Sequence, residues 1–404
     1  MDNTILSAQM AKCRRLSACA VVATLFAVPT SWAQFTPNES LVTQQPDLVD
    51  PEFNQARGQV VWADRRGKLW LANVNRTTGL FEPRNGKGLL VDGDAFTSAD
   101  VPTLLTNGAE WVSTAAGDHI VYTKFPQGMP HTLENARLAL ATEGKTGAWS
   151  NWILSPESPR NTPYASHDPG DPTPRIGYID AVGNHYWRNL LDASSETLVS
   201  EFLPSQGPLR FVQGSRAAVF RAPVNGVPQV MLHTLDTGTT QQITDIAGVA
   251  IGGAGPWMWQ APEFNNANVF FVVVNDVELQ VYRQPPASAD GQGPWELIRT
   301  IRTPLGGIIG SPEPFTHNGK SYVYFQATTP PNVIPSVLFM ANIDPSRPML
   351  RQLTPDTPRR GRIDAEVFVT DDGPYVYFHR LQVGDCSPCS DGIYRAYTGL
   401  PPAQ

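Results

Sequence analysis

Short apolar runs, each bounded by polar or Gly- and Pro-rich turns, recur along the chain in a fixed order. Val60-Val61-Trp62, Ile120-Val121-Tyr122, Ile176-Gly177-Tyr178, Ala217 to Phe220, Val269 to Val274, Tyr322 to Phe325 and Tyr375 to Phe378 form one series. Runs of three to six residues between turn signals read as β-strands rather than helices. A marker precedes each run. Pro51-Glu52-Phe53-Asn54, Ala109-Glu110-Trp111, Pro262-Glu263-Phe264-Asn265, Pro312-Glu313-Pro314-Phe315 and Ala365-Glu366-Val367-Phe368 are the clear copies, and Tyr164 and Arg210-Phe211 fill the gap. A third apolar run follows in every unit and a fourth in most. The period is roughly fifty residues, the signature of a stacked or radial repeat. The seventh unit ends before its fourth run, and Ser40-Leu41-Val42-Thr43 near the N-terminus supplies a matching one. The pattern therefore predicts an all-β fold, a seven-bladed β-propeller closed by an N-terminal strand that completes the last blade, which hides the sheet edges of the ring.

Composition agrees with this reading and adds limits. The chain has 404 residues, 41% hydrophobic and only 17% charged, with 33 Gly and 37 Pro. That density of turn residues punctuates a chain into short strands. A formal net charge of -7 argues against nucleic acid, whose phosphates call for a basic face. The first residues read differently. Lys12, Arg14 and Arg15 precede an apolar stretch from Leu16 to Val28, and Ser31-Trp32-Ala33 closes it with small residues two apart. This is the pattern of a signal peptide over residues 1–33, with the propeller over 34–404 and a periplasmic or secreted location. No stretch approaches the ~20 apolar residues of a membrane span. In an exported chain the pair Cys386 and Cys389 reads as a disulfide.

The repeat also places the candidate chemistry. First strands line the axis of a propeller, so the markers should ring the channel near one rim. Five are acidic: Glu52, Glu110, Glu263, Glu313 and Glu366. Crowded carboxylates are costly unless paired or hydrogen-bonded. The ring either accepts hydrogen bonds from neighbouring blades or receives a cation or cationic ligand, and Arg210 breaks it. A second position, at the end of each second strand, is polar in every unit but different each time: Asp64, Lys124, Asp180, Arg221, Asn275, Gln326 and His379. Variety suits a ligand surface better than repeat structure does. His379 is the candidate general acid or base, with Glu366 and Glu313 nearby in the repeat register, and Arg210 is a further catalytic candidate. Trp257 and Trp259, in a Gly-rich loop that begins at Gly252, suit a platform for a sugar or aromatic group. No hydrolase, zincin or phosphate-loop motif is present.

The unit PEFNQARGQVVWADRRGKLWLANVNRTTG (51–79) resembles the TolB-like, WD40-like propeller repeat, and AEWVSTAAGDHIVYT (109–123) fits the same frame. The resemblance covers residues 40–400 and implies a propeller that binds a ligand or partner at one rim of its channel. RIDAEVFVTDDGPYVYF (362–378) also resembles the blade of furanosidase-type glycoside hydrolases. Those propellers have five blades, so their catalytic carboxylates are not carried across. Three functions follow as expectations. The first is an exported binding propeller for a carbohydrate, small molecule or periplasmic protein. The second is a carbohydrate-active enzyme, a polysaccharide lyase or glycoside hydrolase, working through rim His, Glu and Arg residues. The third is a lactonase-type hydrolase with calcium held by rim carboxylates.

Overall fold

The computed structural model describes residues 35–404 except 44–47, 65–66, 83–87, 96–107, 115–116, 156, 167–172, 201–208, 247–254, 286–293, 329–335 and 383–388. The expected signal peptide and the Cys386–Cys389 pairing lie outside these residues. Thr36–Gln404 forms one compact unit.

The described residues build seven antiparallel sheets, each a blade. The innermost strands are Leu48–Asn54, Glu110–Thr114, Asn161–Ala165, Arg210–Phe211, Trp257–Ala261, Ile308–His317 and Arg360–Thr370. In blade one the outer strand is split, since Phe81–Glu82 and Leu89–Asp92 both pair with Leu69–Val74. Blade seven is completed as the pattern predicts. Ser40–Thr43 pairs antiparallel with Cys389–Tyr397, Ser40 opposite Arg395 and Leu41 opposite Tyr394. The N-terminal strand thus closes the ring.

The apolar runs are continuous rather than alternating because middle strands are covered on both faces. Val60, Val61 and Trp62 are fully buried, as are Phe270, Phe271 and Phe325. The cores lie between blades, not within them. Val61, Leu69 and Leu71 of blade one pack with Trp111, Ile120 and Tyr122 of blade two. Phe271 and Val281 of blade five pack with Val323 and Phe339 of blade six. Each blade is therefore stable only against its neighbours.

Four inner strands share a feature that aims residues into the channel. Their pairing with the second strand shifts between Val49 and Glu52, Asn161 and Tyr164, Gly310 and Glu313, and Ile363 and Glu366. Two residues before the marker, the backbone turns to positive φ: Asp50 at 52°, Thr162 at 55°, Ser311 at 41° and Asp364 at 49°. Such a β-bulge bends the strand and re-aims the side chain that follows it. Pro51, Pro163 and Pro312 occupy the next position, where the interrupted ladder does not need an N–H.

Candidate functional site

One residue from each blade faces a common cavity of about 390 Å³ on the ring axis: Glu52, Glu110, Tyr164, Arg210, Trp257, Glu313 and Glu366. Six of the seven are the marker residues. In blade five the ring position belongs to Trp257, not Glu263. The tetrapeptide Pro-Glu-Phe-Asn repeats at 51–54 and 262–265, but in blade five it follows the inner strand as a 3-10 turn, Pro262–Phe264. Trp257 and Trp259 accordingly sit on that inner strand rather than on a loop.

Glu263 has a structural partner instead. Its carboxylate accepts from the backbone N–H of Ser321 at 2.8 Å and from the Ser321 hydroxyl at 3.0 Å. The Trp259 indole N–H donates to the same hydroxyl at 3.0 Å. Trp259 touches the cavity, yet this relay chiefly ties blade five to blade six.

The ring is chemically divided. Blades six, seven, one and two present Glu313, Glu366, Glu52 and Glu110 in an unbroken arc. Blades three, four and five present Tyr164, Arg210 and Trp257. The Arg210 guanidinium lies 3.8 Å from the Trp257 ring centre and 4.9 Å from that of Tyr164, and its Nη2 donates to the Tyr164 hydroxyl at 3.3 Å. Flanking rings stabilise a cation most where water is scarce.

Behind the acidic arc stand two further carboxylates, Asp50 and Asp364, both carried by the bulges. Asp50 explains a glycine: a Cβ on Gly108 would lie 2.3 Å from Asp50 Oδ2, so blade two must leave that space open. These side chains keep some contact with solvent, but the blade walls enclose them. Burial pushes Asp50, Glu52 and Glu366 well above the ordinary carboxylate range, and the charges of their neighbours push the same way. Burial pushes Asp364 up to about 6. Glu313 is raised less, because Arg210 and the Tyr324 hydroxyl oppose its burial. The side chains of Glu313 and Glu366 are coupled to each other, and Tyr324 donates to Glu313 Oε2 at 2.7 Å. Like charges set side by side resist ionising together, so the charge of Glu313 adds to the upward shift of Glu366.

The cavity continues past the ring along Phe53, Gln213, Phe315, Thr316 and Val367. These residues follow the ring positions, toward the turns that join inner and second strands. The repeat reading places the site at the other rim. Arg221, Gln326 and His379 do not line the cavity. Gln326 pairs with Gly310 and His379 with Ile363, across the bulge from the ring residues. His379 is buried and shares a 2.5 Å hydrogen bond with Ser390. Arg221 is buried, and burial followed by the charge of Arg210 lowers it to about 10. Other residues of that varied series serve local structure. Asp64 accepts from the Trp70 indole N–H at 2.8 Å, and Lys124 pairs with Asp92 of blade one at 2.6 Å. Among the described residues, no three His, Cys, Asp or Glu side chains are grouped to hold a metal ion. No helix there is long and apolar enough to cross a membrane.

No family model and no curated protein matches the sequence. Solved structures do match. The β-propeller domain of Myceliophteria thermophila Cps50 (Swd1) aligns over 88% of this chain and 99% of its own, at 10% identity and a TM-score of 0.52. The likeness establishes the fold. TolB from Acinetobacter baumannii aligns over 88% of this chain and 80% of its own, at 16% identity and a TM-score of 0.39.

Proposed function

We propose that this chain is an exported binding propeller that takes a small polar ligand into its axial cavity. The observation that carries this reading is the asymmetry of the ring. Seven equivalent positions converge on one cavity, and three consecutive ones depart from glutamate to Tyr164, Arg210 and Trp257. Repeat stability favours sameness, whereas a ligand site needs a few different polar groups around a concave, partly apolar wall. Export rests on the sequence of residues 1–33.

The test is a thermal-shift screen of small polar compounds on the intact protein, followed by crystal soaks. Stabilising compounds should appear in the cavity, and Trp257→Ala and Glu366→Gln should each weaken them about tenfold or more, roughly 1.4 kcal/mol. Compounds bound only on outer strands, with affinity untouched by both substitutions, would overturn the reading.

A second reading is favoured by the Glu366–Glu313 pair. Two coupled carboxyl groups whose surroundings shift them differently are the arrangement from which a general acid and a general base are drawn. In a carbohydrate-active enzyme these two, rather than His379, would carry the proton transfers.

A further inference from the structure

The axial cavity does not end at the ring. A second cavity of about 310 Å³ opens beside it over blade five, and Gln213 and Thr316 line both. Its walls come from three blades. Gln213 and Gly214 follow the inner strand of blade four, Gln260 and Asn266 flank the 3-10 turn of blade five, and Thr316 stands near the end of the inner strand of blade six. Gly214 leaves room for the Gln260 amide, since a Cβ there would lie 2.8 Å from its Oε1. Among the described residues, no ionisable side chain lines this compartment.

Its amides differ from others on the same rim. In the matching turn of blade one, Gln55 donates to the Val369 carbonyl at 2.9 Å and accepts from the Val369 N–H at 2.8 Å. In that of blade six, Asn318 donates to the Pro402 carbonyl at 2.9 Å. Those amides tie parts of the ring together. Gln213, Gln260 and Asn266 are exposed and make no such side-chain tie among the described residues, so a ligand can reach them.

The two compartments favour one kind of ligand. Each amide offers both donor and acceptor atoms. In the axial cavity Glu52, Glu313 and Glu366 keep partial exposure. Burial disfavours their charged forms, which counts against a cation, and four glutamates on one arc count against an anion. A hydroxyl donates to a carboxylate and accepts from a carboxyl, so it answers either form. Phe53 and Phe315 supply an apolar wall for the C–H face of a sugar ring. Each cavity alone has the ~300–1,000 Å³ of a small-molecule site, so a ligand that occupies both is a chain of at least two units. A peptide would take its main-chain hydrogen bonds from a strand edge, whereas these walls are side chains at the turns and strand ends of three blades. We propose, resting on the binding function above, that the ligand is a neutral oligosaccharide, with one sugar in the axial cavity and the next against Gln213, Gln260 and Asn266.

Calorimetric titration of the intact protein with glucose, galactose and mannose, and with disaccharides and trisaccharides of each, is the test. In at least one series the longer sugar should bind about tenfold or more tightly than its monosaccharide. Gln260→Ala should remove that gain and spare the monosaccharide, whereas Glu366→Gln should weaken both. If Gln260→Ala fails to fold, Asn266→Gly replaces it, since glycine keeps the left-handed backbone at a φ of 59°. Equal affinity for short and long sugars in every series, or a gain that survives both outer substitutions, would show that the second cavity takes no sugar and leave the axial site standing. If N-acetylated alanyl-glutaminyl-alanine amide binds in a manner that depends on Gln260 and no sugar does, the ligand is a peptide and the proposal is wrong. If no sugar binds while compounds of the thermal-shift screen occupy the axial cavity, the saccharide assignment fails and the binding function stands. If those compounds too bind only on outer strands, both fail.

Discussion

Asp364 is the residue through which the electrostatics of the channel are most directly tested. Burial holds its carboxyl at about 6 against an ordinary 3.8. Its folded form therefore binds the proton more tightly than the unfolded chain does. The stability this group contributes is fully present below pH 3.8 and is lost as pH rises through 6, and Asp50, Glu52 and Glu366, also raised by burial, contribute with the same sign. Asp364→Asn removes the ionisation and keeps the shape. Its melting temperature should match the wild type near pH 4 and exceed it near pH 8, and an equal shift at both would refute the argument. Sequence reading reached four of these ring glutamates because the marker repeats. It went astray at Glu263, where an identical tetrapeptide has a different role. From Glu263 the second strand begins at Ala267, too soon for the chain to turn and bring the glutamate opposite a strand residue, and that spacing was the available signal for Trp257. Asp50 and Asp364 were not singled out, because what brings them to the channel is a backbone bulge rather than a pattern of polarity.

At the scale of the strand, the bulges carry the design. Without the shift between Gly310 and Glu313, the period-two alternation of the strand would keep one orientation throughout its length, and the outer half would dictate where Glu313 points. The cost is a strained residue in each copy. Ser311 is exposed and sits at a φ of 41°, a region where a side chain costs about 1–3 kcal/mol. Glycine has no such penalty but loses more freedom on folding. Ser311→Gly should therefore raise stability by roughly 1 kcal/mol in chemical denaturation, with ligand binding in the cavity unchanged. A loss of stability would show that the serine conformation is not strained. Strand identity was legible in the sequence because buried middle strands read as unbroken apolar runs. The bulge was present only as the pairs Asp50-Pro51, Thr162-Pro163 and Ser311-Pro312, whose meaning depends on knowing that they fall inside strands.

For the whole molecule, closure is the step that makes seven sheets one structure. Six junctions between blades are covalent, and the last depends on a strand four residues long. Val42 enters the core shared by blades seven and one, with Leu48, Tyr377 and Ile393. Just before it, Glu39 accepts from Arg362 at 3.0 Å and from Arg380 at 2.7 Å. Arg362 is fully buried and also donates to the carbonyl of Pro355 at 2.9 Å, so removing Glu39 leaves a buried cation with fewer partners. Breaking such a pair costs about 3–5 kcal/mol, moderated here by the carbonyls that remain. Deleting the chain through Thr43 should do more. It leaves the edge of Cys389–Tyr397 unpaired, an invitation to association, and frees blades one and seven to separate. Calorimetry of the truncated protein should show a lower and broader transition, light scattering should show self-association, and a synthetic peptide of residues 36–43 should reverse both. Because the cavity draws one side chain from every blade, ligand affinity should fall with the truncation and return with the peptide. A truncated chain that melts in one sharp step at the wild-type temperature would mean that packing between blades, without the clasp, is enough to hold the ring.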